Sequence, residues 1–491
     1  MTKDIIILTG ISGEQFQRAI GAYRIASHLR SHGYSVQVID FIDEFSYEEL
    51  NSVLKQLTGE NTLALCISTT FLKSQKDELV SSTYKKLRTL SDTLRSSIEN
   101  YKENFPRVKI LGGGANISWY KEDSLFDVLV TGYGELAVLE YVESLKTGTK
   151  RIYPKIHGKQ IINGDTQLLD VATIGHTWDI NDCILPKETL PIEISRGCIF
   201  NCKFCSYPLN GKKKFDYLRD PELIRQELIR NYELFGTTNY MFSDDTFNDS
   251  TYKLELLHEV FTKLPFKIQF VAYLRLDLLY AHPEQITLLK EMGLKSAAFG
   301  IESLNPRTAK FIGKGLAKDK IKEFLPKLYF DHWNQEVSVI CSLIVGLPYE
   351  TLEHLEESFD WFMQSGINSI WMPLAITPSN FYLSDIDKNY SKYGYELGPE
   401  IGQWKSPIMD RQTAEVTAQR FTDEALKSGT VNSWYLFLML SYGLDTADNL
   451  QKMQWNEVNW SLYRDRQQQM IQEYKQMLSK TMVPSEVICA V

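Results

Sequence analysis

Arg196-Gly-Cys-Ile-Phe-Asn-Cys-Lys-Phe-Cys-Ser206 sets Cys198, Cys202 and Cys205 in a C-x3-C-x2-C spacing. Three thiols so close together are redundant as small core hydrophobes. They are well placed to converge on one metal centre. Three protein ligands on a four-iron cluster leave one iron open to a small molecule. Zinc is a rival reading, because Cys202 and Cys205 form one C-x2-C pair and Cys183 upstream is available as a fourth ligand to close a structural site. A disulfide framework fits poorly, since the chain has seven cysteines, an odd number, in 491 residues.

The strand Pro191-Ile-Glu-Ile-Ser195 delivers this loop, and a β/α alternation follows it. Helices are expected over Pro221–Phe235, where proline suits the first turn, and about Pro283–Met292, closed by Gly293. Strands are expected at Tyr240–Ser243, Lys267–Tyr273, Ser296–Gly300, Val337–Val345 and Ser369–Met372. Six such units make a partial (β/α)6 barrel of the TIM type over residues 186–385. Chemistry in barrels of this kind sits at the carboxyl ends of the strands. The polar clusters Ser243-Asp244-Asp245, Arg275, Glu302-Ser303 and Gly346 all fall there.

Upstream, Ile5–Leu8, a helix to Arg30 stopped by Gly33, and Val36–Ile39 form a βαβ unit. Further strands at Asn61–Ser68, Val108–Leu111 and Val128–Val130 extend a Rossmann-like parallel sheet over residues 1–150, with a linker over 151–185. Glycines follow the first, fourth and fifth strands, where open sheets of this class bind ligands. The G-x-G-x-x-G dinucleotide pattern is absent. Residues 386–491 read as a helical C-terminal domain, with patterns at Arg411–Leu426, Ser433–Tyr442 and Asn459–Leu478 that are expected to cap the barrel mouth.

The cysteine loop in this setting resembles the radical S-adenosylmethionine (radical SAM) enzymes. The resemblance implies a 4Fe-4S cluster on Cys198, Cys202 and Cys205. It implies that S-adenosylmethionine is cleaved there to a 5′-deoxyadenosyl radical. Phe204 matches the aromatic position near the adenine. Ser243-Asp-Asp-Thr-Phe-Asn248 resembles the segment meeting the cofactor's amino group, although Gly-Gly-Glu is commoner there. Gly300-Ile-Glu-Ser303 matches the ribose and methionine contact, and Leu343-Ile-Val-Gly-Leu-Pro348 the adenine contact. Arg275 suits a bidentate pair with the cofactor carboxylate.

The stretch from Ile110 to Glu135 resembles the cobalamin-binding domain of one radical SAM subgroup. Leu111-Gly-Gly-Gly-Ala-Asn116 and Gly132-Tyr-Gly-Glu135 carry that likeness, which makes Gly112, Gly113, Gly114, Gly132, Gly134 and Glu135 candidate cofactor contacts. The Asp-x-His-x-x-Gly loop of the longer-known cobalamin modules is missing, and no histidine lies between His32 and His157. A scaffold that has lost the ligand stays open. The expected activity is cobalamin-dependent methyl transfer to an unactivated carbon. The alternative is a non-methylating rearrangement, cyclisation or oxidation, and a noncatalytic scaffold would have no use for the cysteines. The substrate is expected to be a small molecule or peptide, and the electron donor a flavodoxin or ferredoxin.

A net charge of −9 gives no broad basic field for nucleic acid. Lys212-Lys213-Lys214 reads as a solvated turn. The apolar runs are too short to span a bilayer, and no secretory signal is visible. A cytoplasmic protein is expected. The hydrophobic share, 43%, is ample for several cores.

Overall fold

The computed structural model describes residues 2–10, 18–70, 72, 90–164, 170–206, 217–400, 402–427 and 457–482. Gly13, the three lysines at 212–214, the helix expected at 433–442 and Cys489 lie outside these residues.

The chain builds two parallel sheets. The first comprises β1 (Ile5–Leu8), β2 (Val36–Ile39), β3 (Ala64–Ser68), β4 (Lys109–Gly113), β5 (Val128–Thr131), β6 (Lys155–Ile156) and β7 (Lys159–Asn163), in the order β2-β1-β3-β4-β5-β7-β6. β1 is apolar at every position because both faces of the sheet are covered. Ile5 and Ile7 point into one core with the helices Ile20–Ser31 and Gly134–Thr147. Ile6 and Leu8 point into another with Tyr47–Leu57 and Asp92–Asn104. The strand order reverses between β1 and β3, the switch point where such sheets open a crevice at their carboxyl ends.

The second sheet runs β8 (Leu190–Ile192), β9 (Asn239–Phe242), β10 (Gln269–Leu274), β11 (Leu294–Glu302), β12 (Ser338–Val345) and β13 (Asn368–Pro373), paired in sequence order and parallel throughout. Met241, Val271 and Ile340, joined by Ala298 and Ile370, make a small core of their own. Their strand neighbours Tyr240, Phe242, Phe270, Ala272, Phe299 and Cys341 belong to the larger core with the helices. This alternation is that of a six-unit open barrel.

Two segments differ from the sequence reading. Residues 151–185, expected to be a linker, contain the hairpin β6–β7, and β7 pairs in parallel with β5 to extend the first sheet. Its mixed composition hides this, because β7 is only partly buried and β6, the edge strand, is exposed at both residues. The C-terminal segment does not form one cap on the barrel. The helix Arg411–Lys427 packs on the last barrel strands, with Phe421 stacked on Phe359 at 4.3 Å and edge-on to Trp371 at 4.7 Å. The helix Glu457–Met482 instead returns to the first sheet and buries Met470, Ile471, Tyr474 and Leu478 in its core. There the Tyr474 hydroxyl accepts a bond from the Asp40 amide at 2.8 Å.

Candidate active site

The two sheets face one another across a cavity of about 600 Å³. On one side lie the ends of β1 and β3 and the turns Gly112–Asn116 and Gly132–Glu135. On the other lie Glu193, Ser195, Arg196 and Gly197 before the first cysteine, Ser206 after the last, and Ser243 and Asp245. Asn380 and Tyr382, from the chain after β13, complete the wall, and Asn380 accepts a bond from Ser118 of the first domain at 3.0 Å. No helix among the described residues is long and apolar enough to cross a membrane.

The cysteine loop is held by several tethers. Asp244, buried after β9, accepts from the Ser195 amide at 2.7 Å, the Ile194 amide at 3.1 Å and the Ser195 hydroxyl, and Lys253 stands 3.5 Å away. Both its oxygens therefore brace the entry to the loop. The Thr246 hydroxyl lies 3.3 Å from Cys198 Sγ, and Arg275 Nη1 donates to Cys202 Sγ at 3.6 Å. None of the three cysteines is in a disulfide. Among the described residues no set of three His, Cys, Asp or Glu side chains is gathered tightly enough for a single ion. Cys183, the candidate fourth zinc ligand, is buried in the first domain's core, with its Sγ on the Asn181 carbonyl at 3.4 Å. With Cys183 held in that core, the loop keeps three thiols and no fourth, the ligand set that a 4Fe-4S cluster takes with one iron open.

Around the loop the structure redistributes several expected contacts. The Arg275 fork is occupied by Asp277, at 3.0 Å and 2.6 Å, and its plane lies over the Phe200 ring at 3.8 Å. Its expected bidentate grip on a ligand carboxylate is thus already taken by the chain itself. Ser303 is buried and donates to Glu350, while its hydroxyl accepts from the Asn305 amide at 3.0 Å. It closes a turn behind the site and does not line the cavity. Gly346 takes φ +99°, its carbonyl accepts from the Tyr395 hydroxyl at 2.7 Å, and the Trp404 ring fills the space a side chain would need. Phe204 sits half-buried under Lys314, whose ammonium lies 5.8 Å from the ring centre.

Glu302 is held at φ +67°, at a register shift between β11 and β12, with its carboxylate 3.4 Å from Lys314. A buried non-glycine residue in that region is strained, and such strain concentrates at functional sites. Any side chain at Gly300 would collide with that carboxylate. Burial raises the Glu302 carboxyl, and Lys314 opposes the shift. Asp245 faces the cavity beside Ser243, and burial, Asp244 and Glu193 push its carboxyl up to about 7.

The glycine turns divide by role. A Cβ at Gly112 would strike Ile117 and Phe126, and one at Gly134 would strike Ile25, so both permit close packing. Gly114, at φ +101° and against Thr70, makes the tight turn. A Cβ at Gly113 would meet Val130 at an ordinary contact distance of 3.7 Å, so a side chain is not blocked there by the described residues. Gly113 and Gly132 line the cavity together with Ile7, Ile20, Leu111 and Val130. This glycine and aliphatic part of the wall leaves room for a broad flat ligand. No histidine lines it, so cobalamin fits this wall only without a histidine ligand.

Sequence reasoning missed a buried ion network at the seam. Arg196 donates to Glu193 at 2.8 Å and to Glu135 at 2.7 Å, and Arg24 meets Glu193 at 3.0 Å and Glu135 at 3.5 Å. Arg196 also lies over the Tyr133 ring at 4.3 Å. Despite burial, the two guanidinium groups hold the Glu193 carboxyl down to about 2. Glu135, expected at a cofactor, is engaged with arginines. Only the position of Arg196 inside the cysteine motif could have drawn attention to this network.

A six-strand parallel barrel with a three-cysteine loop at its carboxyl edge, preceded by a doubly wound sheet, defines the class. Residues 192–362, the barrel segment, match the model of the radical SAM superfamily. It is similar to an uncharacterized methyltransferase of Pyrococcus horikoshii, 26% identical over 58% of this chain and 63% of the relative. It is also similar to the anaerobic magnesium-protoporphyrin IX monomethyl ester cyclase of Cereibacter sphaeroides, 26% identical over 56% of this chain and 48% of that one. The chain thus matches less than two thirds of the length of either. Among solved structures, the radical S-adenosylmethionine methyltransferase TsrM of Kitasatospora setae, with tryptophan substrate and a SAM analogue bound, superposes with a TM-score of 0.60 at 13% identity, over 85% of this chain and 83% of that one. The same enzyme with cobalamin and a 4Fe-4S cluster bound gives 0.54 at 15% identity, over 81% and 76%. At these identities the likeness establishes the shared two-domain fold.

Proposed function

We propose that this chain is a cobalamin-dependent radical SAM methyltransferase acting on an unactivated carbon. The observation that carries the proposal is the single cavity bounded by both the glycine turns and the cysteine loop. When bound, a 4Fe-4S cluster on Cys198, Cys202 and Cys205 would supply the electron that cleaves S-adenosylmethionine to a 5′-deoxyadenosyl radical, and cobalamin against Gly113 and Gly132 would supply the methyl group. The chain's own residues orient and enclose. Asp244 and Lys253 fix the entry to the loop. Arg275 Nη1 sets the charge beside Cys202. Asp245 and Ser243 offer a carboxyl and a hydroxyl to the amino end of the co-substrate, and Glu302 a carboxyl to its ribose and methionine end. Asn380 and Tyr382 complete the wall, and an enclosed site protects a radical from quenching. A one-electron donor of the flavodoxin or ferredoxin type, in a reducing cytoplasm, completes the requirement.

The test is retention of cobalt. The protein is purified without oxygen, reconstituted with iron and sulfide, mixed with hydroxocobalamin and desalted. About one cobalt beside about four irons per chain is expected. About four irons with no cobalt would leave the first domain an empty scaffold. Likeness to the anaerobic cyclase favours a second reading, radical chemistry without methyl transfer. Product mass separates the two, as a gain of one CH2 unit or none.

A further inference from the structure

We infer that Glu135 of the first domain is a positioning residue for the cysteine loop of the barrel, acting through Arg196. The inference rests on the reading of Cys198, Cys202 and Cys205 as cluster ligands.

Arg196 stands two residues before Cys198, and only Gly197, at φ +88°, separates them. Wherever the Arg196 backbone is held, the first ligand follows. Its backbone amide donates to the Tyr217 carbonyl at 3.0 Å, which leaves the side chain to set the tilt of the strand end. The Arg196 side chain is 94% buried, and its guanidinium has two carboxylates to choose between. Glu193 lies on the barrel's own strand end, whereas Glu135 opens the helix Gly134–Thr147 of the other domain. Glu135 is 96% buried, and Arg24, also from the first domain, closes the square of two cations and two anions. A buried charge deprived of one partner must move or find another. The position of Arg196 is therefore shared between the domains. Tyr133, Gly134 and Glu135 line the cavity on the glycine side, and Arg196 and Gly197 line it on the cysteine side. The same turn that would meet a ligand thus also holds the approach to the cluster.

The test needs neither substrate nor cobalamin. Wild type, Glu135→Gln, Arg196→Lys and the double variant are reconstituted with iron and sulfide. Iron content is measured first, followed by the reduction midpoint of the cluster and its electron paramagnetic resonance spectrum with and without S-adenosylmethionine. Each single variant is expected to load iron like wild type, to move the midpoint in the same direction, and to alter the spectrum of the cluster with S-adenosylmethionine bound. The double variant is expected to go no further than Arg196→Lys alone, because both act through one group. Glu135→Asp, which keeps the charge, should restore part of the wild-type signal. If Arg196→Lys shifts midpoint and spectrum while Glu135→Gln leaves both unchanged, Glu193 alone holds the arginine and the inference is overturned. Additive shifts in the double variant would overturn it too. Wild type that takes up no iron would sink the cluster reading and this inference together, an outcome distinct from loaded protein with unmoved spectra.

Discussion

The two walls of the cavity are built on opposite principles. The barrel wall is charged and polar, with Glu193, Arg196, Ser243 and Asp245 at its surface, and behind it stand the three cysteines, a strained Glu302 and a buried Asp244. Away from Arg24, Tyr133 and Glu135 at the seam, the sheet wall carries mostly glycine and aliphatic side chains. One wall holds its groups in place by electrostatics, the other by leaving room. The contrast shows that a cofactor site can be specified by charge and hydrogen bonds on one side and by missing volume on the other, and that the two kinds of site fail differently when altered.

The largest expected effect is on the charged wall. Cys202→Ala should drop iron from about four per chain to near none and abolish 5′-deoxyadenosine formation, because two thiolates no longer hold the cluster. Iron analysis and chromatography of the reaction products check this. A variant that kept its function would mark the chain as a scaffold.

On the uncharged wall the comparison sharpens between neighbours. Gly114→Ala should destabilise the first domain by about 1–3 kcal/mol, since alanine is strained at φ +101° and Thr70 lies in its way. Gly113→Leu should leave stability within about 1.5 kcal/mol and iron loading intact, yet lose cobalt retention, because its side chain enters open cavity. Denaturant melts and metal analysis on both variants separate fold from fit. Equal loss of cobalt at equal stability would erase the distinction.

A further effect is a pH dependence. The folded chain holds the Asp245 proton up to about 7, whereas the unfolded chain releases it near about 4. Its raised carboxyl therefore favours the folded state at low pH, and that contribution is lost as pH rises through about 4 to 7. Wild type should lose more stability than Asp245→Asn between about pH 5 and about pH 7.5 in urea melts of the cluster-free protein. Parallel slopes would show that Asp245 titrates normally.

Much of the architecture was legible because apolar runs and turn residues are local signals. Ile5–Leu8 announces a strand covered on both faces, and Pro221 with Gly236 brackets a helix. The cysteine spacing needs no structure to be read. What escaped reading was pairing between distant residues. Nothing near Ser303 announces that Glu350 will bind it. The square of Arg24, Glu135, Glu193 and Arg196 draws on three separate segments. The stripe on the last helix says that Met470, Ile471 and Tyr474 are to be covered, but its period cannot say by which domain.

That last helix changes how the molecule can be taken apart. The chain leaves the first domain near β8, completes the barrel, and comes back to lay Glu457–Met482 on the sheet where it began. A gene fragment ending before the barrel would encode a first domain with one face of its core bare. Expressed alone, such a fragment should be sticky and poorly soluble, and supplying residues 457–482 as a separate peptide should rescue it.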